Sequence, residues 1–453
     1  MQRKVCKRFL KNETPSTPAS KYAKYTGNQL DHMNDQSSAS QPFAISDDAQ
    51  KVTDAVASLY AQQILPNNPL WKQQAAAGAE IPAIEHELRM QAKNAGLWNL
   101  ALPRLAEDEP GTRLSNLEFT GVAEILGQLP WASRVCNAHA PDTPNMELLQ
   151  LFGTSEQKQE FLNPLLEGDI GSCFSMTEPE VASSDPGNLA TTIRADGDDY
   201  LINGRKWFST NGSMDNTQFT IVVGITDPNA TKSRRQSLII VPLATPGVEV
   251  ERDVSVFGAH HRTGAHTQFR FDNVRVPKRY LIGEEGMGFA IGQARLGPAR
   301  LHHCMRSIGE CEVLISLMIE RATQRSTFGN RVDSYSSTKD AVALSRIEVD
   351  QARLLVKQAA LLLDTVGNKA ARKQISMIKV STFRTYQAVA DRTIQLFGAA
   401  GITDDSPAAA ALVRARGLRI AHGPDEVHLQ TIYRLEAQEQ EGRDLRNYLS
   451  SPF

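Results

Sequence analysis

The feature that most limits what this chain can become is a run of about 110 residues, 171 to 283, with the composition of β-strands. "TTIRADGDDYLINGRKWFST", "FTIVVGIT", "SLIIVPL", "GVEVERDV" and "TQFRFDNVRVP" alternate with turn residues. Asn203-Gly204 has the composition of a tight hairpin turn. Both flanks follow the helical period instead. Val52, Val56, Leu59, Tyr60 and Ile64 recur at helical spacing ahead of Pro66, and Gly96 is placed to stop a later helix. Beyond Gly286, Leu301, Cys304, Met305, Ile308, Cys311, Ile315, Met318, Ile319 and Ala322 mark one face of a long helix. Further helices are expected over 337–366, 371–397 and 405–421, with "FGAAG" as a break. Several are apolar around much of their circumference, which suggests burial between subunits.

The expected organisation is α+β and multidomain. It comprises an extension over 1–43, an N-terminal helical domain over 44–170, a middle β domain over 171–283 and a helical bundle over 284–447. A length of 453 residues suits two or three packed subdomains. "MQRKVCKRFLKN" carries five positive charges and no acid, and the polar stretch after it cannot bury a core. It reads either as a mitochondrial transit segment or as an extension without an address, so a mitochondrial or a cytoplasmic location is expected. Asp31 and Asp35 weigh against transit, and the terminal "SSPF" matches no peroxisomal signal.

Composition excludes several function classes. A net charge of -2 gives no global field for nucleic acid or an anionic membrane. No apolar run is long enough to cross a bilayer. The five cysteines lack CxxC spacing, and HExxH, GxxxxGK[ST] and GxSxG do not occur, so no metal is expected. "GEEGMGFAIG" lacks a βαβ context and reads as a loop opening the long helix.

Two stretches carry chemistry. "CFSMTEPEVASSD" (173–185) and "INGRKWFSTNG" (202–212) place hydroxyl-rich loops at strand ends, as the edge of a planar polar heterocycle requires. With "QRSTFGNRV" (324–332) and "QLFGAAGI" (395–402), they resemble the acyl-CoA dehydrogenase family, in that family's order and over residues 45–445. "APDTPNME", "HHCMR" and "GPDEVH" are similar to the branch of family members 10 and 11.

The resemblance implies an N-terminal helical domain, a middle β domain and a C-terminal four-helix bundle, with FAD bound at their junction. Met176 and Thr177 would meet the pyrimidine edge of the flavin. Thr210 would lie beside N5, with Phe208 against the ring in place of the family's usual Trp. Ser184 would contact the pyrophosphate or the pantetheine. Arg325 and Phe328 would reach the FAD of a neighbouring subunit, and Gln395 with Ala399 would hold its nucleotide half. Arg300 would sit near the thioester. The resemblance also implies an acyl-CoA or related thioester as substrate, an electron-transfer flavoprotein as acceptor, and a homodimer or homotetramer. Two positions depart from the pattern: Ala399 stands for a glycine, and Ser336 for a glutamine.

The base position departs more. The family's usual Glu before a glycine aligns with His422, and Gly423 aligns with the glycine. In the branch of members 10 and 11 the matching residue is an aspartate. An alternative site for the carboxylate, before Arg300, holds Ala299. Three readings follow: His422 is the base; the protein oxidises a more acidic carbon, as nitroalkane oxidases do; or it binds FAD without catalysis. An imidazole suits proton abstraction near neutrality. Asp425 and Glu426 read as complements to a helix start. His428 and the His302-His303 pair read as packing or polar surface residues.

Overall fold

The computed structural model describes residues 43–258, 265–443 and 448; expectations for the N-terminal extension and the last residues fall outside them. Everything below concerns the unit from Ile45 onward. Its first part is helical: α1 (Asp47–Leu59), α2 (Asn68–Ala76), α3 (Ala83–Asn94), α4 (Asn116–Gly127) and α5 (Asp142–Phe152). One carboxylate organises two of the helix starts. Glu118 closes a capping box with Ser115 and also accepts from Ser46 Oγ, the cap of α1, at 2.7 Å.

A sheet follows in the order β6 (Val248–Val254), β7 (His266–Pro277), β3 (Asp199–Thr210), β2 (Thr192–Asp196), β4 (Thr217–Ile225), β5 (Gln236–Pro242) and β8 (Leu281–Ile282). β1 (Gly171–Ser175) runs parallel to β4. The core lies where α5 and the turns after it cover this sheet: Met146, Leu149, Phe161 and Leu165 pack with Phe219, Ile221, Ile239 and Phe269. Asn203-Gly204 is not a hairpin turn. It lies inside β3, whose register against β7 shifts there. Gly204 has φ +151°, and a Cβ would stand 2.4 Å from Thr191 Oγ1, so the glycine serves a close approach at a bulge. The turn from β2 to β3 falls at Gly197-Asp198.

The last part contains α6 (Gly288–Gln324), α7 (Ser336–Ala370), α8 (Arg372–Phe397), α9 (Ala408–Leu418) and α10 (Asp425–Gln440), with α8 lying against all four of the others. α7 is interrupted at Gly367 (φ 78°, ψ 172°). The bundle meets the N-terminal helices through two glycines. A Cβ on Gly309 of α6 would lie 1.9 Å from Glu124 O, and one on Gly127 of α4 would lie 2.3 Å from Arg306 O. Backbones this close leave no room for a methyl group. Beside the contact, Arg353 of α7 pairs with Glu124 at 2.8 Å, and Arg346 pairs with Glu312 at 2.6 Å. The fold class expected from the sequence is the one observed.

Candidate active site

The turn between α9 and α10 is held from every side. Asp425 is buried and accepts from Arg419 Nη2 at 2.8 Å and Arg384 Nε at 3.0 Å. Burial pushes its carboxyl up, but these two guanidinium groups outweigh it and hold it low. Its role is to fix the turn. The carbonyl of His422 accepts from Arg300 Nε at 3.0 Å and lies 3.2 Å from His428 Nε2, while the carbonyl of Gly423 accepts from Lys379 Nζ at 2.9 Å. Donors from α6, α8 and α10 thus converge on two peptide groups. His422 itself has φ +57°, a left-handed conformation that His adopts more readily than most residues. Among the described residues, its N–H has no hydrogen-bond acceptor.

The imidazole of His422 packs edge-to-face on His303, with ring centres 4.7 Å apart. Its Nδ1 is sealed from solvent, with no hydrogen-bond partner among the described residues. Burial, then Arg295, Arg300, Lys379 and Arg306, hold its pKa well below the usual 6.5. It is therefore neutral at pH 7, able to accept a proton but weak as a base. Ala299 presents a buried methyl group, with no second base beside Arg300.

His303 Nδ1 accepts from Arg306 Nη2 at 3.1 Å, so it is not a plain surface residue. His302 does pack, edge-on to Phe119. His428 is buried and braces His422. The sequence reading missed Arg306, Arg295 and Lys379; the only signal was the i, i+3 spacing of Arg300, His303 and Arg306.

A second cluster lies where β1 and β3 end. Ser175 Oγ meets Ser209 Oγ at 2.8 Å and Thr220 Oγ1 at 2.7 Å, a buried hydroxyl set joining three strands. Lys206 is fully buried and donates to Met176 O at 2.9 Å and to Glu178 at 2.7 Å. Desolvation pushes it down to about 8, against the pull of Glu178. Glu178 also accepts from the amides of Ala190 and Thr191, so it pins both ends of the loop that carries Ser184. Ser184 is exposed on that loop. Thr177 Oγ1 donates to Trp207 O at 2.8 Å, and Thr210 Oγ1 lies 3.0 Å from His266 Nδ1. Between them Phe208 has φ +54° and is 41% exposed. A large aromatic side chain left uncovered on a strained strand end fits a planar ring laid over it. The two threonine hydroxyls keep lone pairs for a polar edge.

Arg325, Phe328, Gln395 and Ala399 are not brought to this cluster. All four are exposed, and Phe328 is 96% exposed at the tip of a hairpin formed by β9 (Ser326–Thr327) and β10 (Asn330–Arg331). Arg321 links this end of α6 to the end of α8 by donating to Phe397 O. Arg325 follows the last residue of α6, 25 residues after Arg300, about 37 Å at 1.5 Å per residue.

Helical and β layers with a strand-end cluster and a polar turn of this kind define an acyl-CoA dehydrogenase-type flavoprotein. The N-terminal, middle and C-terminal domain models of acyl-CoA dehydrogenase match residues 46–169, 173–274 and 286–435. FadE2 of Mycobacterium tuberculosis, assigned as an acyl-CoA dehydrogenase, is 48% identical over 78% of this chain and 86% of its own length. The chain belongs to the acyl-CoA dehydrogenase family, and FAD is the cofactor that this membership assigns. Acyl-CoA dehydrogenase family member 11 of Gallus gallus is 46% identical over 79% of this chain; the match spans only 46% of that longer protein. A solved Mycobacterium abscessus protein assigned to the same family superposes with a TM-score of 0.83 at 42% identity, covering 87% of this chain and 99% of that one. No helix among the described residues is long and apolar enough to cross a membrane.

Proposed function

We propose that this protein catalyses α,β-dehydrogenation of an acyl-CoA or related thioester, with His422 as the base. The observation that carries the reading is the fixed turn at 422–423, which presents an imidazole and an unpaired N–H side by side. The substrate carbonyl accepts from the His422 N–H, which makes the α-proton more acidic. The neutral imidazole takes that proton. FAD, when bound, supplies the acceptor for the hydride that leaves the β-carbon, and the product is the 2-enoyl thioester. Met176, Thr177, Phe208 and Thr210 would hold the flavin, Ser184 the pyrophosphate or pantetheine, and Arg300 and Gly423 the thioester region.

Arg325 stands about 37 Å along α6 from Arg300, and Phe328, Gln395 and Ala399 lie in the hairpin and the α8 end that meet that end of α6. In this reading they serve the FAD of a second copy, so the working form is a homo-oligomer, a dimer or tetramer. An electron-transfer flavoprotein would reoxidise the flavin.

Anaerobic titration of the FAD-loaded protein with acyl-CoAs of graded chain length tests the proposal. Bleaching of the oxidised flavin band is expected, and no bleaching with any thioester would overturn it. The depressed basicity of His422 favours one second reading, oxidation of a more acidic carbon with electrons passing to oxygen. Reduction by a nitroalkane but by no thioester, followed by rapid reoxidation in air, would select it.

A further inference from the structure

Arg306 is a half-buried cation whose hydrogen bonds go to neutral groups. Nη1 lies 3.0 Å from Ser133 Oγ and 2.8 Å from His139 Nδ1, and Nη2 lies 3.1 Å from His303 Nδ1. It has no carboxylate partner among the described residues. A guanidinium has donors only, and burial lowers this one only to about 10, so it stays charged. Both imidazoles must therefore present a lone pair at Nδ1 and carry their proton on Nε2. Neither ring can flip without losing its bond. The Arg306 backbone is equally confined, because α4 approaches it at Gly127 with no space for a methyl group.

Arg300, His303 and Arg306 follow one another at i, i+3 on α6 and so share a face. The first holds the carbonyl of His422, the second packs on its ring, and the third fixes the second. We infer that His303 is a positioning residue for His422, locked in a single neutral tautomer by Arg306, and that this pair sets the orientation of the base before substrate arrives. The inference rests on His422 being the base. It is a lock and not a proton wire, since the guanidinium in the middle does not release a proton at neutral pH. The groups facing His422 are Arg295, Arg300, His303 and Arg306 of α6, Lys379 of α8, and Asp425 and His428 of α10.

The test uses the full-length FAD-loaded chain. In Arg306→Lys the charge remains and the planar fork is lost. Flavin reduction by acyl-CoA should slow about 10- to 100-fold with little change in KM, and the acid limb of its pH profile should stay in place. In Arg306→Gln the acid limb should move to higher pH, because a cation beside the base is gone. Wild-type rates and an unshifted limb in both variants would overturn the inference. Independently of activity, 15N-histidine spectra of the wild-type protein should show His303 and His139 as Nε2–H tautomers throughout pH 6 to 8. An Nδ1–H tautomer at either would also overturn it. Failure of the base assignment looks different: His422→Ala would then reduce its flavin as fast as wild type.

Discussion

Arg300 and His422 are joined through the main chain: the guanidinium Nε donates to the His422 carbonyl at 3.0 Å, while the peptide N–H has no acceptor among the described residues. The arginine therefore holds the proposed base without competing for its chemistry. Pro298 lies two residues earlier in α6, where Asn368 Nδ2 donates to Gln293 O. Arg300→Met should loosen the 420–424 turn by about 1.5–3 kcal/mol, the usual worth of a hydrogen bond to a charged group. Faster amide exchange confined to that turn is the expected signature.

His422→Ala should retain FAD and lose about 100-fold or more in the rate of flavin reduction by acyl-CoA, the range of a missing general base. His422→Asp should recover much of it, because the four surrounding cations keep a carboxylate ionised. Stopped-flow absorbance resolves the three proteins.

Acid should destabilise the fold below the ordinary histidine pKa. His139, His303 and His422 are held well below 6.5, His428 to about 4 and His302 to about 3, mainly by burial. Between pH 6.5 and 4 the unfolded chain binds protons at these sites and the native one does not, so stability falls as pH drops. Glu147 acts in the opposite sense, since burial raises it to about 7 and its native form protonates first. Burial raises Asp142 as well, but five histidines outweigh these two carboxyls, and Tm should be lower at pH 5 than at pH 7.5.

The buried Lys206–Glu178 pair divides unequally. Lys206→Met leaves Glu178 two amide donors, whereas Glu178→Ala strands a buried ammonium and two N–H groups. Breaking such a pair costs about 3–5 kcal/mol. Glu178→Ala should lie at the upper end of that range and Lys206→Met below it, measured by urea unfolding. Only Glu178→Ala should also weaken FAD retention, because it frees the loop carrying Ser184.

Gly309→Ala should destabilise by about 1–3 kcal/mol through overpacking against α4. A Tm equal to wild type would show that the two helices separate easily.

Much of this architecture is legible in the sequence because period carries it: Leu301 to Ala322 marks a helix face, and the runs between 171 and 283 mark strands. Asn203-Gly204 misleads because the dipeptide that suits a turn also suits a bulge, and Thr191, which decides the matter, lies thirteen residues before Gly204. Glu178 sits inside the flavin-loop motif, yet nothing local reveals that it clamps residues 190 and 191. His303 and Arg306 are harder still. The Arg306 partners Ser133 and His139 lie more than 160 residues away, and His422, on which His303 packs, lies far along the chain; only packing brings them together.

The left-handed backbone at residue 422 restricts which amino acids can occupy it. Glycine, asparagine, aspartate and histidine tolerate that conformation at little cost, while β-branched residues do not. The turn thus filters substitutions by shape before chemistry is tested. Aspartate and histidine, unlike in charge, both pass that filter, so one can replace the other here without remodelling the neighbours. A laboratory search for new activities at this position should draw its library from that short alphabet.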